Sequence, residues 1–295
     1  MTRPLLLVTI FFFYRALVCA QDAEVIKVQV DLVSVNVAVT DGGKQPVRDL
    51  RAQDFQVIEE GQQMELQFFD SQGPASIVFV IDTSTSMAGQ KWKKLKDGME
   101  RFLATAREGN DYSLVAFSDR PRLVVSSVNA SEFQRNFNDL KLAGNTALYD
   151  AVMLGLEVLG QSRQRHKALV LLSDGQDNCS HAQFSDVQEE GLSRRATIYS
   201  IGIRLRRKDE YLLDFEVAGK ELLNRLATMT GGSFHFPDPD KIPKVLNDIN
   251  NDLMGQYTLS YYATEKSPGW RNVQVSLLPT ARRLNLRYQQ RYLKK

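Results

Sequence analysis

One stretch, residues 77–86, limits the possible folds of this chain more than any other. Five apolar residues, Ile77–Ile81, run without a break and then meet Asp82 and a cluster of hydroxyl side chains. This pattern fits a strand buried on both faces, as in a parallel sheet covered by helices, although a buried helix shares it. The β-branched Ile and Val residues favour the strand.

The polar residues after this run are candidates for a ligand site. Ligands in open α/β sheets bind where the strands end, so Asp82, Ser84 and Ser86 leave the predicted core at the expected place. Their oxygen atoms are hard ligands, which suit Mg²⁺ or Mn²⁺ and not a soft metal. The residues alone therefore indicate a binding site for a hard divalent cation.

Two later stretches carry related patterns. Residues 169–175 are a second apolar run that ends in an acid, Asp174. Residues 144–146 place the hydroxyl of Thr146 just ahead of a helical pattern. Threonine is a common residue at the start of a helix, so we predict that Thr146 caps this helix.

Together these residues resemble the von Willebrand factor type A domain and its metal-ion-dependent adhesion site. The family motif is Asp-x-Ser-x-Ser, then a distant Thr and a distant Asp, and its members here are Asp82, Ser84, Ser86, Thr146 and Asp174. The resemblance implies that the serines and the threonine contact the metal directly, while the two aspartates act through water. The alternative is a Ser/Thr-rich turn after a core strand, with no metal.

The implied site is a device for binding a protein partner. Neutral hydroxyl ligands do not quench the charge of the ion, so an open position should attract an external carboxylate. We expect Mg²⁺ as the cofactor, with Mn²⁺ or Ca²⁺ as alternatives, and a protein with an exposed acidic residue as the partner.

Two other functional classes compete with this interpretation. In a structural envelope or assembly protein the metal would only brace the fold, and partner binding would not depend on it. A Mg²⁺-dependent hydrolase is the other alternative. The sequence argues against an enzyme, because Asp82-Thr83-Ser84 lacks the second acid of haloacid-dehalogenase-type phosphatases and no Gly-x-Ser-x-Gly or His-Glu-x-x-His motif occurs.

Charge balance argues against a nucleic-acid partner. The 295 residues include 37 Lys and Arg against 35 Asp and Glu, so no basic excess attracts a polyanion. The hydrophobic content of 43% is enough to build folded cores.

The first twenty residues are typical of a secretory signal. Arg3 supplies a positive start, residues 5–14 are apolar, and small residues at 18–20 suit cleavage before Gln21. Arg15 interrupts an apolar run that is then too short to span a bilayer. We expect an exported protein of the periplasm, cell envelope or medium, with no membrane span after cleavage. A retained anchor and a lipoprotein are the alternatives.

The remaining sequence predicts three parts. Residues 21–73 alternate as β-strands, residues 74–255 alternate strands and helices as a doubly wound, Rossmann-like α/β domain, and residues 256–295 are again β-like. The two β segments together approach the size of a small β-sandwich, so we expect them to fold together around the inserted α/β domain. Short sequence segments in these flanks also resemble the bacterial exported "VWFA-related domain" family.

Several further residues are weaker candidates. After cleavage Cys179 is the single cysteine, and a packed side chain is favoured over a reactive thiol. His181 fits a solvated surface residue better than a site residue. A cluster of basic residues has two equal interpretations, a basic rim that helps to recruit an acidic partner or a solvated loop: Arg204, Arg206, Arg207 and Lys208. We predict an exposed strand face for Arg282, Arg283, Arg287 and Arg291, and no role for His166 or His235.

Overall fold

A computed structural model describes most of the chain. The described ranges are residues 32–43, 45–71, 73–173, 177–203, 210–263, 267–278 and 282–294, with no side-chain description for 210–218. The predicted signal, the basic residues at 204–208 and Asp174 lie outside these ranges. No helix within them is both long and apolar enough to span a bilayer.

Strands and helices alternate between 75 and 255, and strands alone lie on either side. The strands are β1 (Leu32–Thr40), β2 (Phe55–Glu59), β3 (Gln62–Met64), β4 (Phe68–Asp70), β5 (Ala75–Asp82), β6 (Asp111–Phe117), β7 (Pro121–Val128), β8 (His166–Ser173), β9 (Thr197–Gly202), β10 (Phe234–His235), β11 (Gln256–Tyr262), β12 (Gly269–Leu277), β13 (Asn285–Tyr288) and β14 (Arg291–Lys294). The α-helices are α1 (Gln90–Ala104), α2 (Ala130–Asn138), α3 (Leu148–Gly160), α4 (Phe184–Arg194), α5 (Glu210–Met229) and α6 (Ile242–Met254).

The central sheet has six strands in the order β10-β9-β8-β5-β6-β7. β5 pairs in parallel with both β6 and β8, and β7 alone runs antiparallel, at the edge. The prediction of a mainly parallel, doubly wound α/β fold is confirmed. The connection between β6 and β7 is too short for a helical crossover, so β7 pairs antiparallel at the edge.

The apolar run of β5 faces a core on each side of this sheet. Every residue of β5 is buried. Phe79 packs with Phe102 of α1 at 5.2 Å between ring centroids, in the core that also contains α6. Val80 lies in the opposite core with Leu156 of α3. Burial on both faces is the reason that this strand is continuously hydrophobic and does not alternate.

The flanking strands form two four-stranded sheets, in the orders β13-β1-β11-β4 and β14-β12-β2-β3. Each sheet combines strands from both ends of the chain: β1 lies between β11 and β13, and β2 pairs with β12. One hydrophobic core contains Val37, Val57, Tyr257 and Val273 from these sheets. The predicted β-sandwich is therefore present, while the exact boundaries at residues 73 and 255 stay predictions.

Two continuous β-like segments are each divided between the two sheets. Residues 64–69 hold the end of β3 and the start of β4, and residues 284–292 hold β13 and the start of β14. The second crossing occurs at Gln289, whose buried side-chain amide donates to the Leu192 carbonyl at 2.6 Å. Strands that change sheets bend at such points, so each of these segments contributes one strand to each sheet.

A close contact joins the sandwich to the central domain at Gly231 and Gly232. Gly231 has φ +77°, and a Cβ on it would lie 2.5 Å from the Cα of Tyr288 in β13. Arg287 donates to the Gly232 carbonyl at 3.1 Å and to the Asp252 carboxylate at 2.6 Å. The predicted exposed strand face is wrong for Arg287, because this ion pair holds its side chain in the junction.

His166 forms a second connection. Its imidazole is buried, with Nδ1 3.0 Å from the Thr258 hydroxyl and Nε2 3.3 Å from the Asp70 carboxylate. Burial lowers the pKa of His166; the nearby Asp70 carboxylate opposes this effect and Arg107 adds to it. The histidine therefore links the first residue of β8 to two strands of the sandwich in its neutral form.

This burial predicts that acid destabilises the protein through His166. Because the folded-state pKa is below the unfolded value of about 6.5, the unfolded chain takes up more protons. Stability is fully present above that value and falls as the pH drops toward the folded-state pKa. Urea unfolding of wild type and His166→Gln between pH 7.5 and 5 measures the effect.

His181→Gln is the control, since His181 lies at the surface with 92% of its side chain exposed. We expect His166→Gln to show a smaller loss of stability on acidification than either wild type or this control. The partly buried His235, whose pKa is also lowered by burial, contributes equally in all three proteins. An identical pH slope in all three would contradict the role of His166.

Candidate metal centre

Asp82 closes strand β5 and organises the turn that follows. Its carboxylate is fully buried, and one oxygen accepts a hydrogen bond from the Ser84 amide at 2.8 Å. The other accepts from the Ser173 hydroxyl, at the end of β8, at 2.9 Å. A buried carboxylate needs such partners, so Asp82 joins the ends of two neighbouring strands.

The turn after Asp82 brings two hydroxyls together. Residues Thr85–Met87 form a 3₁₀ turn, and Met87 anchors it in the core with no exposed surface. The hydroxyl oxygens of Ser84 and Ser86 lie 3.0 Å apart, with Ser84 buried and Ser86 exposed. Neighbouring ligands of an octahedral ion with bonds of about 2.1 Å also lie about 3 Å apart. The pair thus fits one small, hard cation.

Backbone hydrogen bonds place the Thr146 loop beside this turn. The Ala143 amide donates to the Thr83 carbonyl at 2.8 Å, and the Thr85 amide donates to the Gly144 carbonyl at 3.4 Å. Thr146 itself is buried, with 5% of its surface exposed. Two of the three predicted segments therefore lie next to each other, although they are 60 residues apart in sequence.

Thr146 does not cap helix α3, so that prediction was wrong. The N-cap residue is Ala147, with no side-chain cap of its own. Asp177 supplies the acceptor instead: its Oδ1 accepts from the Leu148 amide at 2.7 Å and from the Tyr149 amide at 3.3 Å. A carboxylate at the positive end of a helix is also favoured by the helix dipole.

Asn178, next to Asp177, holds Thr146 from both sides. Its side-chain oxygen accepts from the Thr146 amide at 3.0 Å, and its own amide donates to the Thr146 carbonyl at 3.0 Å. The position of the Thr146 hydroxyl is thus set by a loop that follows β8, and not by the threonine's own helix.

Asp119, just after β6, fixes the start of the same loop. Its Oδ1 accepts from the Asn145 amide at 2.8 Å and from the Asn145 side chain at 2.9 Å. Gly144 has φ +84°, and a Cβ there would lie 2.5 Å from the Asp119 carboxylate. The turn therefore requires glycine.

Sequence reasoning missed Asp119, Asp177 and Asn178. Each follows the carboxyl end of a parallel strand, which is the place where α/β sheets bind ligands. That position was the available signal. The predicted Asp174 lies outside the described residues, but its neighbour Ser173 is described and contacts Asp82.

Cys179 and His181, near the centre, are a packed thiol and a surface histidine, as the sequence favoured. The Cys179 thiol is half-buried and donates to the Asp119 carbonyl at 3.6 Å. Burial raises the pKa of this thiol, and the carboxylates of Asp119 and Asp177 add to the effect, so it stays protonated and poorly nucleophilic. His181 is exposed and lies 3.2 Å from the Asp150 carboxylate.

The donor set is made of hydroxyls. Within the described ranges no group of three or more His, Cys, Asp or Glu side chains is arranged to hold a metal ion. Ser84, Ser86 and Thr146 instead offer neutral oxygens, from the turn after the buried Asp82 and from the loop that is hydrogen-bonded to this turn. This chemistry fits a hard divalent cation and not a soft one.

Comparison with known proteins identifies the central domain. Residues 77–176 match the family described as "von Willebrand factor type A domain". Inter-alpha-trypsin inhibitor heavy chain H1 of Bos taurus is 32% identical over 143 residues, which are 43% of this chain and 16% of that protein. Heavy chain H4 of Homo sapiens is 26% identical over 204 residues, 64% of this chain and 21% of that protein. The chain therefore spans only a small part of these relatives.

Solved structures share the fold at low sequence identity. A von Willebrand factor type A protein from Catenulispora acidiphila has a TM-score of 0.54 at 13% identity and covers 89% of this chain and 73% of its own. Proximal thread matrix protein 1 from the mussel byssus, with a zinc-occupied MIDAS motif, has a TM-score of 0.53 at 20% identity. The match covers 67% of this chain and 50% of the byssus protein. The type V pilus tip protein Mfa5 of Porphyromonas gingivalis has a TM-score of 0.51 at 14% identity. The match covers 61% of this chain and 94% of the Mfa5 chain.

The cap geometry predicts a distinct role for Asp177. Asp177→Ala should lower the free energy of unfolding by about 1 kcal/mol, because two amides at the start of α3 lose their acceptor. Asn129→Ala is the matched control, since Asn129 caps α2 through the Glu132 amide at 3.0 Å. Urea unfolding should show a similar loss for both variants.

Amide hydrogen exchange separates the two caps. Asp177→Ala should speed exchange in the peptide that contains Thr146, while Asn129→Ala should leave that peptide unchanged. The idea that the loop after β8 positions Thr146 fails if exchange there is the same in both variants and in wild type.

Proposed function

Because residues 77–176 form a von Willebrand factor type A domain, we propose that this chain is an exported, metal-dependent protein-binding module. A divalent cation would be held by Ser84, Ser86 and Thr146, with Asp82 and Asp174 acting through water. A carboxylate of an acidic protein partner would complete the coordination. The observation that carries the proposal is the pair of hydroxyls 3.0 Å apart, in a turn that the buried Asp82 carboxylate holds through the Ser84 amide.

Each residue has a separate task in this proposal. Ser84 and Ser86 offer neutral oxygens from one turn, and Thr146 offers a third from the loop held by Asn178. Asp82 stays buried and orients the turn through the Ser84 amide. The bound ion supplies positive charge for an incoming carboxylate. Neutral ligands leave most of that charge available for a partner.

Mg²⁺ is the proposed ion, with Mn²⁺ and Ca²⁺ as alternatives. All the proposed donors are hard oxygens, which Mg²⁺ prefers. Zinc occupies the corresponding motif of the mussel byssus protein. Zinc sites in proteins usually contain nitrogen or sulfur ligands, and all the proposed ligands here are oxygens, so we favour Mg²⁺.

Relatives support a binding role outside the cell. The similar proteins are named as inhibitor heavy chains, a byssus thread matrix protein and a pilus tip protein. The apolar segment at residues 5–14, behind a positive start, supports export to the periplasm, cell envelope or medium. Membership of the bacterial exported family stays part of this proposal.

Two alternatives make different predictions. A structural envelope protein would keep its interactions when the metal is removed. A Mg²⁺-dependent hydrolase would need a nucleophile or a general base next to the ion. The one nearby thiol, Cys179, is poorly nucleophilic because burial raises its pKa. We therefore favour binding over catalysis.

The proposal predicts that the centre binds Mg²⁺ through its hydroxyls. Ser86→Ala should weaken Mg²⁺ binding, measured by titration calorimetry, because it removes one direct ligand from an exposed position. Thr85→Ala is the matched control: it removes an exposed hydroxyl from the same turn, at a position that the motif leaves open. Asp82→Ala should abolish binding with the circular dichroism spectrum unchanged.

Saturating metal should also raise stability without being required for folding. When the Mg²⁺ concentration is a hundredfold above its dissociation constant, binding adds about 2.7 kcal/mol to the free energy of unfolding. Equal Mg²⁺ affinity in wild type, Ser86→Ala and Asp82→Ala would remove the metal centre from the proposal. A pull-down from envelope extract with Mg²⁺ and with EDTA then tests the partner, and capture that survives EDTA would favour the structural role.

A further inference from the structure

Three large aromatic side chains are exposed at one end of the β-sandwich. Phe68 in β4, Tyr262 in β11 and Trp270 in β12 expose 42%, 43% and 41% of their surfaces. Among the described residues, the other large hydrophobic side chains with such exposure are aliphatic: Leu123 and Leu278. Single exposed apolar residues need no explanation, but several aromatic rings at one end of a domain indicate an interaction surface.

The order of the strands places these rings at the same end of the two sheets. In one sheet, β11 ends at Tyr262, and β4 begins at Phe68, which pairs with Ser260. In the other sheet, Trp270 is the second residue of β12, which follows β11 after residues 263–268. Because this connection is short, the start of β12 lies near the end of β11.

Arginine side chains accompany two of the rings. The Arg165 guanidinium lies over the Phe68 ring, 4.5 Å from its centroid, and the Arg291 guanidinium lies over the Trp270 ring at 4.1 Å. Both arginines are exposed. A guanidinium that stacks on a ring still offers N–H donors at its edge to an anionic oxygen. Each pair therefore presents an apolar ring and a positive charge together.

Arg195 joins the two sheets at the same end and adds positive charge. It donates to the main-chain carbonyl at the start of β1 at 3.3 Å, and its guanidinium lies over the Tyr292 ring of β14 at 5.1 Å. Burial lowers the pKa of Lys167, and the nearby charges of Arg194 and Arg195 add to this effect. Although Arg194 also pairs with Glu190, cations close enough to oppose one another produce a positive potential, which attracts anions.

We propose that this end of the sandwich docks on the anionic surface of a phospholipid bilayer. The rings enter the headgroup region, where Trp and Tyr are favoured, and the arginines pair with lipid phosphates. Because the rings come from both sheets and surround the end, a flat, extended partner can contact all of them, while a single peptide side chain cannot. The docking surface consists of Phe68, Tyr262, Trp270, Arg165, Arg195 and Arg291.

The candidate metal centre lies at the far end of β8 from Arg165. Arg165 precedes the first residue of β8, whereas Ser173, the last, contacts Asp82. A strand of eight residues is about 23 Å long. Docking beside Arg165 therefore leaves the metal centre clear of the bilayer. The docking surface shares no residue with that centre, so the inference does not rest on the proposed function.

Trp270 gives a direct test, because the chain has one other tryptophan, Trp92. Trp92→Phe, recovered in its exported form, is mixed with vesicles of phosphatidylglycerol and phosphatidylcholine, or of phosphatidylcholine alone. We expect the Trp270 emission to move to shorter wavelength, and to be quenched by brominated lipid, on the anionic vesicles only. All measurements contain EDTA, so their outcome is independent of the metal centre.

Sedimentation with the same vesicles measures the binding of wild type and of charge variants. Arg165→Gln and Arg291→Gln should each weaken binding to the anionic vesicles about fivefold, the usual contribution of one basic residue at such a surface. Arg225→Gln is the matched control. Arg225 is also exposed and lies over the Phe184 ring at 4.5 Å, but on helix α5. Its loss should leave binding unchanged.

Four results would overturn the proposal. Wild type that binds neither vesicle, or binds both equally, shows that anionic lipid is not recognised. An equal loss in Arg225→Gln shows that overall charge is sufficient. Binding to anionic vesicles with unchanged Trp270 emission shows that another surface is used. A shift of that emission with protein concentration, in the absence of vesicles, shows that this end binds a second copy of the chain instead.

Discussion

The buried carboxylate of Asp82 is the interaction on which the candidate centre depends. It lies at the end of a strand with no exposed residue, and its two oxygens bind the Ser84 amide and the Ser173 hydroxyl. One side chain thus shapes the serine turn and joins it to the neighbouring strand β8. Because a buried carboxylate without partners is costly, the turn geometry and the pairing of β5 with β8 stabilise each other.

The second half of the centre depends on segments distant in sequence. Asp119 after β6, and Asp177 and Asn178 after β8, hold the loop that carries Thr146. Their acceptor groups are used on main-chain amides, so they set the backbone positions from which the hydroxyls project. On the serine turn itself, the Lys91 ammonium donates to the Ser86 carbonyl at 3.0 Å.

Specific side-chain contacts join the β-sandwich to the central domain. His166, at the start of β8, reaches Asp70 and Thr258 in the sandwich. Arg287 pairs with Asp252 at the end of α6, and Gly231 packs on β13 where no side chain would fit. β8 and α6 thus carry contacts to the sandwich, and β5 and β8 reach the candidate centre at their carboxyl ends.

The sequence by itself determined the α/β fold of the central domain and predicted the residues of its site. A strand buried on both faces leaves an unbroken apolar run, and the motif residues follow such runs directly, so local order was sufficient to predict them. Only the tertiary structure decided which group caps α3, since the Asp177 acceptor comes from 29 positions along the chain. It also decided that residues 284–292 divide between two sheets at Gln289. Sheet membership and capping from a distant loop depend on long-range pairing, and no local pattern of residues encodes that pairing.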